Sequence, residues 1–195
     1  MKKNQILYLF AALAIFASCK KEDAKPNATG INGTYKFNGM HAKTNSTVTS
    51  DDGEKIVSLA EWSSADNTGT IVFNDPVATN TNFSYSVNST VTNNIYEDNK
   101  LINSMSKPFV VIIPNTNSVS SYQLIGADSI YFPKGGFVSI GGTTSSSNAG
   151  GGHYKLSGNT LTLDMSGSKD STFSDSGIMY QTKQSVIASI VLIKQ

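Results

Sequence analysis

From Ile31 to the last residue, apolar and polar side chains exchange places in short runs, and the period is two rather than 3.6. The cleanest run is Phe83, Tyr85, Val87, Ser89 and Val91, separated by Ser84, Ser86, Asn88 and Thr90; one face of this strand is core and the other water. Gly33 to Asn38 alternates in the same way, and the strand is expected to continue, bent near Gly39, as far as Ser50. Asp51-Asp52-Gly53-Glu54 is a turn, Lys55 to Trp62 a second strand, Asp66-Asn67-Thr68-Gly69 a further turn, and Thr70 to Phe73 a third strand stopped by Asp75-Pro76. Tyr96 to Leu101 closes a hairpin. Phe109 to Ile113 is an apolar run fenced by Pro108 and Pro114. Tyr122 to Ile130 and Tyr154 to Leu161 each read as strand, glycine-containing turn, strand, and Ser157-Gly158-Asn159 is the strongest hairpin signal in the chain. The last pair is predicted at Ser174 to Lys183 and Val186 to Lys194.

No segment of this region sustains a helical period, and turn signals recur at the spacing of a barrel or sandwich. The fold class is therefore all-β, with about 8–10 strands joined mostly in sequence. Sequential antiparallel pairing can close into an up-and-down barrel and so remove exposed edges. Residues 134–152 are low in complexity and rich in Gly and Ser; they are read as a mobile loop at one barrel end.

The amino-terminal pattern is different. Met1-Lys2-Lys3 is positive, and Ile6 to Ala17 is an apolar run of twelve residues. As a helix that run spans roughly 18 Å, too short for a hydrocarbon core of about 30 Å. Positive start, short apolar stretch and small residues before a cut point describe a signal peptide over residues 1–18. Phe16-Ala17-Ser18-Cys19 then resembles the lipobox of bacterial lipoproteins, which implies that Cys19 carries lipid and becomes the first mature residue. Lys21, Glu22 and Asp23 after it resemble the export signal of Bacteroidetes lipoproteins, which implies display on the outer face of the outer membrane. Residues 19–30, with Pro26 and several charges, form a flexible tether, and residues 31–195 form one domain. Lipid chains hold such a protein at the membrane at about 0.8 kcal/mol per buried CH₂.

Composition narrows the function. The signal peptide takes Lys2 and Lys3 with it, leaving 13 Lys against 14 acids and no Arg anywhere. Nucleic-acid binding is not expected of so neutral a chain without guanidinium forks. With Cys19 lipidated there is no thiol for a disulfide or a Cys/His zinc set; His41 and His153 are the only histidines. No Gly-x-Ser-x-Gly elbow occurs, and no catalytic spacing, cofactor or metal site is expected. The acidic groups at Asp51/Asp52/Glu54, Glu97/Asp98 and Asp170/Asp175 read as turn chemistry rather than calcium ligands. Asp128-Ser129-Ile130 and Asp170-Ser171-Thr172 resemble the O-glycan attachment sites of exported Bacteroidetes proteins, or are ordinary turn residues.

Gly33-Thr34-Tyr35, Gly69 to Phe73 and Tyr154-x-Leu156-x-Gly158 together resemble the lipocalin-like lipoproteins of Bacteroidetes. The resemblance implies a lipocalin-like antiparallel barrel. True lipocalins open with Gly-x-Trp; here Tyr35 holds that place, and the single Trp62 lies on a later strand. Tyr35, Phe37, Trp62, Phe73, Phe83 and Tyr85 are candidate barrel-lining residues. They either line a pocket for a small apolar or amphipathic ligand or fill the core, as small barrels commonly do. Two functions follow: a small-molecule binder, or an interaction lipoprotein that meets another envelope protein or a glycan through its loops.

Overall fold

The structure, a computed structural model, describes residues 30–135 and 149–195. Ten strands follow one another: β1 Gly33–Ser50, β2 Glu54–Ser63, β3 Ala65–Asn74, β4 Val77–Glu97, β5 Lys100–Ser121, β6 Gln123–Ile125, β7 Ser129–Phe132, β8 Gly150–Ser157, β9 Thr160–Asp175 and β10 Ile178–Lys194. They form a single sheet, every ladder is antiparallel, and the described residues contain no helix. The all-β expectation holds.

β1 lies in the middle. Along one side it pairs with β10 from Tyr35↔Lys194 to Ser50↔Tyr180. Its other side is shared: Gly33–Lys36 meets β3, and His41–Thr49 meets β2. β4 repeats the division, pairing with β3 over Val77–Ser86 and with β2 over Val91–Glu97. Four strands thus close a ring in the pairing scheme. β2 and β3 run in the same direction, end to end, so the predicted turn at Asp66–Gly69 is not a chain reversal. The Ser64 N–H donates to the Met40 carbonyl (2.8 Å) and the Ser64 hydroxyl accepts from the Met40 N–H (2.8 Å), which keeps the chain against β1. The turn-forming residues are absorbed as irregularities instead: the register with β4 shifts twice between Ala65 and Thr70, and Asp66 and Gly69 have φ of 52° and 116°. Gly69 has a further reason to be glycine, because a Cβ there would sit 2.7 Å from the Phe83 Cα.

The last strands also depart from expectation. β9 runs on to Asp175 and β10 is unbroken from Ile178 to Lys194; the reversal is at Ser176–Gly177, where φ is 52° and 85°. Alternation failed here because Ser166 to Asp175 are all exposed, so no face selects apolar residues. The glycine-rich stretch is also partly strand: Gly150, Gly151 and Gly152 pair with Phe132, Tyr131 and Ile130. Two of these glycines are required by close approach, since a Cβ would fall 2.7 Å from the Ile130 carbonyl oxygen at Gly151 and 2.0 Å from that of Asp164 at Gly152. At its start the Gly135 N–H donates to the Phe132 carbonyl (3.3 Å), and residues 136–148 of the predicted mobile loop lie outside the described residues.

One core serves the sheet. β4 turns Phe83, Tyr85 and Val87 inward, at most 1% exposed. Ile31, Tyr35, Phe37, Ile71, Phe73, Tyr122, Ile130, Phe132, Leu161, Leu163 and Leu192 join them from β1, β3, β7, β9, β10 and the segments between, and β2, β5 and β8 add Trp62, Ile113 and Tyr154. β1, β2, β4, β5, β9 and β10 continue past this core toward the hairpin tips at Gly53, Asp98–Asn99 and Ser176–Gly177, here called the distal end. Asp98 and Asn99 both take left-handed φ, 48° and 62°, as a two-residue hairpin turn demands.

Candidate functional site

The six predicted barrel-lining residues come together. Alternation on β1 turns Tyr35 and Phe37 inward, and β2, β3 and β4 contribute Trp62, Phe73, Phe83 and Tyr85; none is more than 3% exposed. Phe37 and Phe83 have ring centroids 4.5 Å apart, Phe83 and Tyr85 5.8 Å, and Tyr85 and Trp62 are stacked at 6.2 Å. At the proximal end Tyr35 meets Phe73 edge-on at 5.8 Å. These distances are those of mutually packed rings, not of rings facing a void.

Sequence reasoning missed two members. Tyr122 contacts Phe73 at 5.4 Å and Phe132 at 6.3 Å, extending the aromatic chain from β3 to β7. Tyr122 is also where the chain leaves β5, an edge of the sheet, and enters β6, the other edge. Its N–H donates to the Pro76 carbonyl (2.8 Å) and its hydroxyl to Asn32 Oδ1 (3.2 Å). Burial, with the nearby Asp75 carboxylate and Tyr35, pushes its pKa up to about 12. The signal for both was the alternation of Tyr122 with Leu124 and of Ile130 with Phe132.

Burial likewise raises Tyr35, whose hydroxyl has no hydrogen-bond partner; the Trp62 Nε1–H is buried and unpartnered as well.

On the outer face an open groove of about 650 Å³ crosses β10, β1, β2 and β4, lined by Lys43, Leu59, Glu61, Thr90, Thr92 and Ile187 among others. Glu61 Oε1 accepts from Lys43 Nζ (3.2 Å) and contacts His41 Nε2 (3.1 Å), while His41 Nδ1 lies 3.1 Å from the Ser63 hydroxyl. Lys43, and secondarily His41, hold the Glu61 carboxyl below its ordinary pKa. A Ser–His–Glu chain of this kind can orient a nucleophile. Here the imidazole and carboxylate side chains are about half exposed (49% and 56%), whereas acyl transfer needs a dry site with preset oxyanion donors.

The remaining candidates lie apart. His153, on β8, has Nδ1 3.4 Å from the Ser129 hydroxyl and 3.7 Å from Asp128 Oδ2. Asp52 accepts from the Ser50 hydroxyl and the Glu54 N–H, which is turn chemistry and lowers its pKa. Ser171 is exposed on distal β9, and Ser129 is half-buried. Among the described residues, no three His, Cys, Asp or Glu are grouped to hold a metal ion. Cys19, Lys21, Glu22 and Asp23 lie outside the described residues. Geometry thus defines an antiparallel β protein with a packed aromatic interior and a polar outer groove. Neither family models, curated proteins nor solved structures match the chain.

Proposed function

We propose that this chain is a non-catalytic lipoprotein of the outer membrane, anchored through lipid on Cys19 and directed outward by Lys21, Glu22 and Asp23. Its domain is a lipocalin-like barrel that is filled, and it meets an envelope protein or a glycan from outside. The observation that carries the reading is the packing of Phe37, Phe83, Tyr85 and Trp62 at 4.5–6.2 Å with at most 3% exposure, which leaves the rings no ligand to cover. Closure is supported by the ladders. From Ser166 one rung runs through Gly151 and Tyr131 to Gln123 on β6. The other way it runs through Ile187, Lys43 and Glu61 to the neighbourhood of Lys107 on β5. Both routes end on one stretch of chain, roughly 15 residues apart, and such a stagger is what closing a sheet of tilted strands requires.

A second reading, a small amphipathic ligand inside the barrel, draws on the unpartnered donors of Trp62 and Tyr35, which a ligand oxygen would satisfy. Titrating the purified protein with a fluorescent fatty-acid analogue, while following emission of the single tryptophan, separates the two. A filled barrel gives no saturable binding and an unchanged Trp62 signal. Saturable uptake that quenches Trp62 overturns the filled-barrel reading in favour of the second.

A further inference from the structure

We propose that the groove across β10, β1, β2 and β4 binds a neutral glycan chain laid along the outer face of the sheet. This rests on the reading of the domain as one that meets its partner from outside, and it names that partner's chemistry. The groove lies where the sheet splits. The β2–β4 ladder ends at Ala60↔Val91 and the β3–β4 ladder begins at Ala65↔Ser86, so residues 61–64 and 87–90 face one another outside both ladders. The Ser89 hydroxyl crosses the split and donates to the Glu61 carbonyl (2.8 Å). Two rungs of the outer face border it. Ile187, Lys43 and Glu61 stand side by side on one, and Ser185, Asn45, Leu59 and Thr92 on the next.

The lining selects the occupant. Its charges cancel internally: Glu61 Oε1 lies 3.2 Å from Lys43 Nζ and 3.1 Å from His41 Nε2, so neither a polyanion nor a cation meets an unbalanced charge. A peptide strand does not fit the split. An inserted strand would hold its neighbours about 10 Å apart, twice the ordinary spacing, whereas Ser89 reaches Glu61 directly. The lining has none of the aromatic or arginine anchors on which protein interfaces depend. What it does offer is hydroxyl, amide and carboxylate groups. Asn45, Thr90 and Ser185 are exposed, and among the described residues their side chains have no hydrogen-bond partner. Both charged contacts of Glu61 fall on Oε1, which leaves Oε2 to accept from neighbouring sugar hydroxyls. Lys43, and secondarily His41, hold the carboxyl below its ordinary pKa, so it stays an acceptor at neutral pH. Leu59 and Ile187, 41% and 64% exposed on these same rungs, supply apolar surface for the C–H face of a pyranose ring. A few placed polar groups beside apolar surface fit a molecule with apolar faces and a hydroxyl rim. An open groove across four strands takes a chain of such rings, and repeated units along that chain offset weak binding at each one.

Native affinity electrophoresis tests this with the full-length chain, extracted in a polyoxyethylene detergent so that no sugar detergent competes. Separate gels contain dextran, mannan, xylan or a mixed-linkage β-glucan, and a further gel contains anionic polygalacturonate. At least one neutral polysaccharide is expected to slow the wild type. Glu61→Ala and Asn45→Ala should each weaken that retardation, the first by about tenfold in affinity because a hydrogen bond to a charged group is lost. Both side chains are exposed, so thermal midpoints should match wild type; where one variant loses stability, the other decides. Ile125→Ser, which removes an exposed apolar side chain on β6, should bind as wild type does. Failure here is separable from failure of the reading beneath it. A negative gel leaves the anchored, filled lipoprotein standing with a protein as its partner, and retardation of a chain that Cys19→Ala does not release from membranes leaves the groove standing without the anchor. No retardation by any neutral polysaccharide, equal retardation by polygalacturonate, or unchanged affinity in both groove variants overturns the proposal.

Discussion

Phe83→Ala removes the ring at the centre of the aromatic chain. Phe83 is 1% exposed, 4.5 Å from Phe37 and 5.8 Å from Tyr85. Truncating a buried phenylalanine costs about 3–5 kcal/mol, of which each ring contact accounts for roughly 0.5–1.5. Where the value falls depends on how far the surroundings can close over the vacancy. Here the backbone is held on both flanks: Gly69 leaves no space at the Phe83 Cα, and Thr116 Oγ1 donates to the Phe83 carbonyl at 3.2 Å. Collapse is therefore restricted, and the upper half of the range is expected. Urea unfolding read by Trp62 emission measures it directly, because Trp62 stacks on Tyr85, which touches Phe83. With a urea slope of about 2 kcal/mol/M, a loss of about 4 kcal/mol lowers the midpoint by about 2 M. Phe83→Leu, which keeps most of the volume, should cost under about 1.5 kcal/mol. A midpoint for Phe83→Ala within about 0.5 M of wild type, together with new uptake of an apolar dye by wild type and variant alike, would refute the filled core.

Gly69→Ala should destabilise by about 1–3 kcal/mol without touching any side-chain contact, through its positive φ and the clash with Phe83; an unchanged thermal midpoint would contradict this. Alkaline titration followed by tyrosinate absorbance should show Tyr122 ionising last, near its raised pKa of about 12. The sign follows from that shift: stability from keeping Tyr122 neutral is fully present below about 10, the unfolded value, and is lost as pH rises toward 12. Stability that is flat from pH 9 to unfolding, with all tyrosines ionising together, would contradict the burial argument. Cys19→Ala should leave the membrane fraction, and replacing Lys21, Glu22 and Asp23 with Ala should keep lipidation but protect the protein from protease added to whole cells. Membrane sedimentation and protease accessibility that do not change would remove the anchor and export readings respectively.

What the chain reveals beforehand depends on whether a face is buried. Phe83 to Val87 was legible because three of its residues must enter the core, which leaves only one register. Ser157-Gly158-Asn159 was legible because the turn is local, with Gly158 at φ 58°. Distal β9 was not, since water on its exposed residues exerts no selection. The run from β2 into β3 was misread for another reason: Asp, Asn and Gly serve bulges as readily as reversals, and only the ladders to β1 and β4 distinguish the two. Among the candidate site residues the inward direction of the aromatics was readable. Their mutual packing depends on contacts between distant segments, and the outer groove joins four strands that no local motif connects.

The β1–β10 ladder has a consequence for the order of folding. It joins the first strand to the tenth through fifteen matched positions, so β1 meets one of its flanking strands only after the eight strands between them exist. Contacts so remote in sequence carry a large closure entropy and make folding slow. Until then Phe37, Met40 and Ala42 have no cover from Leu192, Ile190 and Ala188, the residues opposite or beside them on β10. A nascent chain that lacks β10 is thus held open by its own topology, and that strand acts as the latch that commits it to the native sheet.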